Sequence, residues 1–262
     1  MEYYFDHEWS EERERLRELE RFCDPITQGH CERVGISPGW RCLEFGGGGG
    51  SVAEWLAWRV GPTGHVLATD LETRFLEPLA GPNLEVKAHR MGTDPLPANR
   101  FDLVHSRAVL EHQPDRMPVL RQVLDILRPG GWAVLESSDF SSMVAARPEH
   151  EALFDKGWGA LDELLAAGGF RSDCGRHLSC EMEDAGFQNV SYSGLVYEWG
   201  GSLPLTKFYV QTFERIGQAL PHVEGIDITD EEFRAFIEMC KLPNFRATSN
   251  VIVSLTGQKR RD

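Results

Sequence analysis

Five consecutive glycines, Gly46 to Gly50, stand between two segments of different periodicity. Before them, Trp40-Arg41-Cys42-Leu43-Glu44-Phe45 reads as a short strand. After them, Ser51-Val52-Ala53-Glu54 has the spacing of a capping box, which predicts a helix from Ser51 through Trp58. A flexible linker has no place between two such elements, so the glycines read as a strand-to-helix turn. Without Cβ atoms, a turn of this kind lets a ligand approach the main chain. The helix N-terminus beyond it offers unpaired N–H groups and a partial positive charge. A ligand site is therefore expected at the carboxyl end of the first strand.

The alternation continues. After the turn Gly61-Pro62-Thr63-Gly64, residues 65–70 read as a second strand ending on Asp70, and further strands are expected at 84–87, 101–106 and 132–138. Leu120, Val123, Leu124 and Leu127 recur at helical spacing and mark a helix over 117–127, ended by Arg128-Pro129-Gly130-Gly131. Strand and helix thus alternate from 40 to 138, which predicts an α/β fold, doubly wound on a mostly parallel sheet. Upstream, Trp9, Leu16, Leu19 and Cys23 predict a helix over 9–23, with Asp24-Pro25 as its stop and a second short helix near 27–35. Downstream, helices are expected at 148–167 and 204–220, with a polar loop after Gly168-Gly169. A strand is expected at 189–199, and the capping box Thr229-Asp230-Glu231-Glu232 opens another helix. A final strand covers 251–255. With 262 residues and no repeat or long linker, one domain is expected. Its parts are a helical cap (1–38), a ligand-binding core (39–140), and a lid with the last strands (141–262).

Composition narrows the function. The net charge of −14 repels phosphate backbones, so no nucleic-acid partner is expected. No apolar run approaches the roughly 20 residues of a membrane span, and the start Met1-Glu2-Tyr3-Tyr4-Phe5-Asp6 lacks the pattern of a signal peptide. No membrane partner and a cytoplasmic location follow as expectations. The 22 Arg against 5 Lys read as the codon bias of a GC-rich bacterium. The six cysteines form no Cys-x-x-Cys pair, so reduced, mostly buried thiols and no metal site are expected. Asp139, Asp155 and Asp162 read as surface charges, and His7, His105 and His177 have no partner visible in the sequence. The sequence does not choose between a monomer and a homodimer.

Two glycine frames compete. Gly48-x-Gly50-x-x-Ala53, with Asp70 further on, fits a dinucleotide fingerprint and an NAD(P)-dependent oxidoreductase. Glu44-x-Gly46-x-Gly48-x-Gly50 explains the acid as well as the glycines. In this second frame the chain resembles the class I S-adenosylmethionine (SAM)-dependent methyltransferases. Leu43 to Gly50 resembles their first motif, and Ala68-Thr69-Asp70-Leu71 their second. Phe101-Asp102-Leu103-Val104-His105-Ser106 with Leu110-Glu111-His112 resembles the fourth-strand segment, and Leu127-Arg128-Pro129-Gly130-Gly131 the turn before strand five. The segments come in family order. The resemblance implies a seven-stranded sheet of order 3-2-1-4-5-7-6 with an N-terminal helical cap and helical lid insertions. It implies SAM as cofactor, S-adenosylhomocysteine as product, and a small aromatic or heteroaromatic natural product as acceptor, methylated on carbon, oxygen or nitrogen.

The resemblance also assigns residues. Glu44, Gly46, Gly48 and Gly50 would face the amino-acid end of SAM, and Asp70, followed by Leu71, would accept the ribose hydroxyls. Where the family carries an acid for the adenine, this chain has Arg90; Met91 is then expected on the adenine face, with Asp94 as a substitute acid. Ser106 and Arg107 follow on strand four, Arg107 as a carboxylate binder or a surface residue. Tyr3 would close over the cofactor and Tyr4 over the acceptor. His112 is the candidate base, with Glu111 either orienting it or facing solvent. Phe140, Trp158, Phe208 and Tyr209 read as an aromatic acceptor lining or as the lid's own core. A protein that keeps the fold and binds SAM without catalysis is the remaining alternative.

Overall fold

The computed structural model describes residues 11–261. In chain order its elements are α1 (Glu12–Arg33), β1 (Arg41–Phe45), α2 (Ser51–Val60), β2 (His65–Asp70), β3 (Leu84–Ala88), β4 (Phe101–Arg107), α3 (Met117–Ile126) and β5 (Leu127–Asp139). There follow α4 (Pro148–Ala167), α5 (Cys174–Ala185), β6 (Gln188–Leu195), β7 (Glu198–Trp199), α6 (Thr206–Gly217), α7 (Asp230–Lys241), β8 (Ala247–Thr248) and β9 (Val251–Gln258).

Seven strands form one sheet in the order β3-β2-β1-β4-β5-β9-β6, while β7 and β8 make a separate ribbon. Counting only the strands of the large sheet, this is the expected 3-2-1-4-5-7-6. The strands β1 to β5 pair in parallel, and β9 runs antiparallel between β5 and β6. Apolar residues of β1, β4 and β5 point alternately to two cores. Leu43, Phe45, Val104 and Leu135 pack with α3 and α5, whereas Cys42, Leu103 and Val134 pack with α2 and the end of α1.

A third core belongs to α4, α6, α7 and the β7–β8 ribbon, with Phe154, Trp199, Phe213, Phe236 and Phe245 at its centre. The 141–262 segment is therefore two things. The chain leaves the sheet after β5 to build this helical layer, and α5, β6 and β9 return to complete the sheet.

Four expectations change. The stop at Asp24-Pro25 is absent: α1 is one helix with Pro25 inside it. A proline in a helix interior costs about 3 kcal/mol. Here the side chains on either side of it bind the body of the protein. Asp24 accepts from Ser51 Oγ and Arg107 Nη2, each at 3.0 Å, and Thr27 Oγ1 donates to Glu136. The capping box at Ser51 also does not form. Gly50, in the left-handed region at φ 91°, takes the N-cap position, so Ser51 is already helical and its hydroxyl donates to Asp24. The box at Thr229 does form, with Glu232 N donating to Thr229 Oγ1 and Thr229 N to Glu232 Oε2.

The helix α5 has no counterpart among the expected elements: only its first residues overlap the expected polar loop after Gly168-Gly169, and no element is expected between that loop and the strand at 189–199. Its buried face is Cys174, Gly175, Leu178 and Met182, a stripe with few strong apolar residues. Finally, Asp139 is buried, not a surface charge. It receives two hydrogen bonds from Arg176, at 2.6 and 2.7 Å, and the Arg176 guanidinium holds its pKa down at about 2. Asp155 is exposed and Asp162 is half-buried. All six cysteines are free, and Cys180 alone is exposed.

Two glycines of α4 should respond oppositely to alanine. A Cβ at Gly157 would overlap the buried ring of Phe236, whereas one at Gly159 would meet nothing within 4 Å. Gly157→Ala should lose about 1–3 kcal/mol through overpacking. Gly159→Ala should gain about 0.5–1 kcal/mol through helix propensity. Urea denaturation of the two variants checks both signs.

Candidate cofactor and acceptor site

The parallel strands end together beside the glycine turn. Gly46, Gly48 and Gly50 have φ of 68°, 53° and 91°, while Gly47 and Gly49 do not adopt positive φ. Gly48 and Gly50 serve both frames, but Gly46, which also needs a positive φ, belongs only to the frame that begins at Glu44. A Cβ at Gly46 would in addition overlap Val109 Cγ2. The turn is fastened to β2 from both sides: Gly47 N donates to the Thr69 carbonyl at 3.0 Å, and Gly48 N to Asp70 Oδ2 at 2.9 Å. Asp70 is half-buried at the tip of β2, with its other oxygen 3.3 Å from Glu72 N; Leu71 beyond it is exposed.

Glu44 is buried at the tip of β1. Its Oε1 lies 3.5 Å from His105 Nδ1, and its Oε2 has no partner among the described residues. Ser106 Oγ, one strand across, is likewise buried and unpartnered. A buried carboxylate oxygen without a donor is costly unless a ligand supplies one. The unpartnered acceptor, the Cβ-free glycine turn, on which the Arg13–Glu20 pair of α1 also lies, and the Asp70 carboxylate fit the ammonium, amino-acid chain and ribose diol of SAM.

The adenine side differs from expectation. Arg90 is exposed, and Met91 is buried in the core that packs against α3. The loop folds so that Asp94 Oδ2 accepts Arg90 N at 2.7 Å. An acid is thereby brought beside position 90 from four residues further on. Arg107 is not directed at a ligand carboxylate: its Nη1 donates to Thr27 Oγ1 and its Nη2 to Asp24 Oδ1, both at 3.0 Å. His105, without a partner in the sequence reading, proves to stand between Glu44 and Glu136. The signal that could have found it is the strand pairing, because Glu44 and His105 are register partners.

Beyond β4, Leu110–His112 forms a single 3-10 turn. Glu111 is buried and accepts from Ser137 Oγ at 3.0 Å, so it does not face solvent. Burial pushes its carboxyl up to about 7, against the hydrogen bonds and the charge of Arg116. Burial, and then the charge of Arg15, pull His112 down to about 4, so its ring is neutral at pH 7. The His112 ring meets Phe170 edge-on with centroids 5.0 Å apart. Phe170 in turn meets Phe140 at 5.8 Å, and Phe140 stacks on Trp158 at 5.2 Å and 21°. Phe140, Trp158 and Phe208 are partly buried at the margin of the helical core, with Arg15 over the Phe208 ring. Tyr209 lies inside that core and donates its hydroxyl to Asn250 Oδ1 at 2.5 Å. Tyr209 thus belongs to the lid's own core and the other three to its edge. Tyr3 and Tyr4 lie outside the described residues.

The family profile described as a methyltransferase domain matches residues 2–192. The chain belongs to this family. The match removes the oxidoreductase reading, in agreement with the glycine frame. Among methyltransferase relatives, the chain is 34% identical over 102 residues to methyltransferase str2 of Strobilurus tenacellus, covering 38% of this chain and 36% of that one. It is 29% identical over 199 residues to the ubiquinone/menaquinone biosynthesis C-methyltransferase UbiE of Vibrio vulnificus, covering 67% and 73%. Several curated relatives are matched over only about a third to a half of their length, from 36% to 47%. Among solved structures, phosphoethanolamine N-methyltransferase 2 of Haemonchus contortus, bound to phosphomonomethylethanolamine and S-adenosylhomocysteine, superposes with a TM-score of 0.61. At 14% identity, covering 99% of this chain and 61% of that one, this likeness is one of fold.

Two outcomes test the methyltransferase site. Asp70→Ala should weaken S-adenosylhomocysteine binding by about 1–3 kcal/mol, read by titration calorimetry. Glu111 holds its proton more tightly folded than unfolded, because its folded pKa of about 7 lies above the ordinary glutamate value of 4.5. Stability from that proton is complete below the unfolded value and is lost as pH rises through about 7. Glu111→Gln should remove this loss, on the order of 3 kcal/mol, in urea denaturation between about pH 5 and 8.

Proposed function

We propose that the protein transfers a methyl group from SAM to a small aromatic or heteroaromatic acceptor. The observation that carries the acceptor class is the run of rings His112, Phe170, Phe140 and Trp158, which leads from the end of β4 along the lid margin. Such faces and edges accept a flat ring by offset and edge-on contacts. The names of the quinone-pathway relatives, a C-methyltransferase and an O-methyltransferase of ubiquinone biosynthesis, support a flat acceptor. The net charge of −14 opposes a nucleic-acid acceptor.

SAM held at the strand tips would supply an activated methyl: an acceptor atom would attack the methyl carbon in line as the S–CH3 bond breaks, S-adenosylhomocysteine would leave, and the proton of an O–H or N–H acceptor would pass to water. The residues of this chain hold and orient. Glu44 and the glycine turn face the amino-acid end, Asp70 the ribose, and Asp94 the adenine side. Catalysis is then largely the alignment of two reactants. The neutral imidazole of His112 accepts a hydrogen bond from an acceptor O–H or N–H. With its pKa near 4 it orients that group and only weakly draws its proton.

The test is incubation with SAM and a panel of phenolic, quinoid and heteroaromatic compounds, followed by mass spectrometry. Methylation of flat-ring compounds is expected, and the panel's failure in spite of SAM binding would favour a binding module. In the same assay, Trp158→Ala should raise the acceptor KM about tenfold with cofactor affinity unchanged, the scale of one aromatic contact with its burial. His112→Ala should lower kcat about 10- to 100-fold.

A further inference from the structure

Below α1 the sheet carries a polar row where an apolar face would be expected. His105, fully buried on the central strand β4, has Nδ1 3.5 Å from Glu44 Oε1 on β1 and Nε2 3.5 Å from Glu136 Oε2 on β5. Glu136 also accepts from Thr27 Oγ1 of α1 and, at 2.7 Å, from Ser254 Oγ of β9. Arg107 of β4 is the register partner of Glu136 and pairs with Asp24 of α1 at 3.0 Å. The other titratable groups against this row are uncharged: burial pushes the Cys23 and Cys31 thiols up and the His30 ring down. Three carboxylates (Glu44, Glu136 and Asp24) therefore face two cations, His105 and Arg107. The cluster lacks one positive charge, and its buried, unpartnered oxygen is Glu44 Oε2, next to the glycine turn.

We infer that His105 is a positioning residue for the amino-acid end of the cofactor: bridged between Glu44 and Glu136, it holds Glu44 by Oε1 so that Oε2 meets the ammonium. The inference rests on the cofactor reading above. A lone buried glutamate would turn about its side-chain torsions or take up a proton. An imidazolium offers one N–H to each of two carboxylates and fixes both in its plane. Burial works against the charged ring, but Glu136 and Glu44 outweigh it and raise the His105 pKa; Nε2 is hydrogen-bonded to Glu136, whereas Nδ1 stands at ion-pair distance from Glu44. The cofactor ammonium then neutralises the row.

Two ligands separate positioning from a purely structural role. S-adenosylhomocysteine carries the amino-acid arm, and 5′-methylthioadenosine lacks it. His105→Gln keeps one donor and loses the charge. Its affinity for S-adenosylhomocysteine should fall about tenfold, while that for 5′-methylthioadenosine stays within about twofold. Equal losses for both ligands, or no loss for either, overturn the inference. Failure of the unsubstituted protein to bind either ligand overturns the cofactor reading instead. If His105→Gln does not fold, ¹⁵N resonances of the His105 ring in the unsubstituted protein decide. Both ring nitrogens protonated at about pH 7.5 support the bridge, and a single neutral tautomer overturns it.

Discussion

The bridge from Glu44 through His105 to Glu136, and on to Thr27, Arg107 and Asp24, is the contact on which the remainder depends. Burying charge is expensive, and a well-packed apolar row of the same volume would serve stability at least as well. What the charged row adds is specificity. An apolar α1 could slide or rotate on the sheet, whereas one carrying Asp24 and Thr27 is held where Asp24 accepts from Ser51 and Arg107 and Thr27 donates to Glu136. That position sets the first helix against the strands β4 and β5, and it keeps α1 helical through Pro25.

The halves of the molecule divide the task. The sheet with α1, α2, α3 and α5 makes the cofactor side, with its own two apolar cores. The helices α4, α6 and α7 make a third core whose margin forms the aromatic run. His112 stands where the two meet, and its neutral ring follows from that place: it is shielded from water and close to the charge of Arg15.

Much of this was legible in the residues. Strand-and-helix alternation, the glycine frame and the terminal acid of β2 are local signals, and they located the sheet, the turn and Asp70. What was not legible depends on partners distant in sequence. Pro25 reads as a helix stop because the cost of a helical proline is local, whereas Asp24 and Thr27 meet their partners on α2, β4 and β5. Ser51 reads as a cap, but the glycine before it takes that position. His105 looked solitary because its two glutamates lie on neighbouring strands, 61 positions before it and 31 after it. The helix α5 escaped notice because Cys174 and Gly175 pack closely on the sheet without the bulk that makes a periodic stripe visible; a Cβ on Gly175 would crowd the Ser138 backbone.

The helical layer enters the chain as two excursions, α4 after β5 and the β7–β8 segment after β6, and its first and last roots lie on β5 and β9, strands that pair along eight residue pairs. These two roots are thus held side by side in the sheet. Changes in the helical layer can therefore reshape its aromatic margin while the sheet holds the glycine turn and Asp70 where they are.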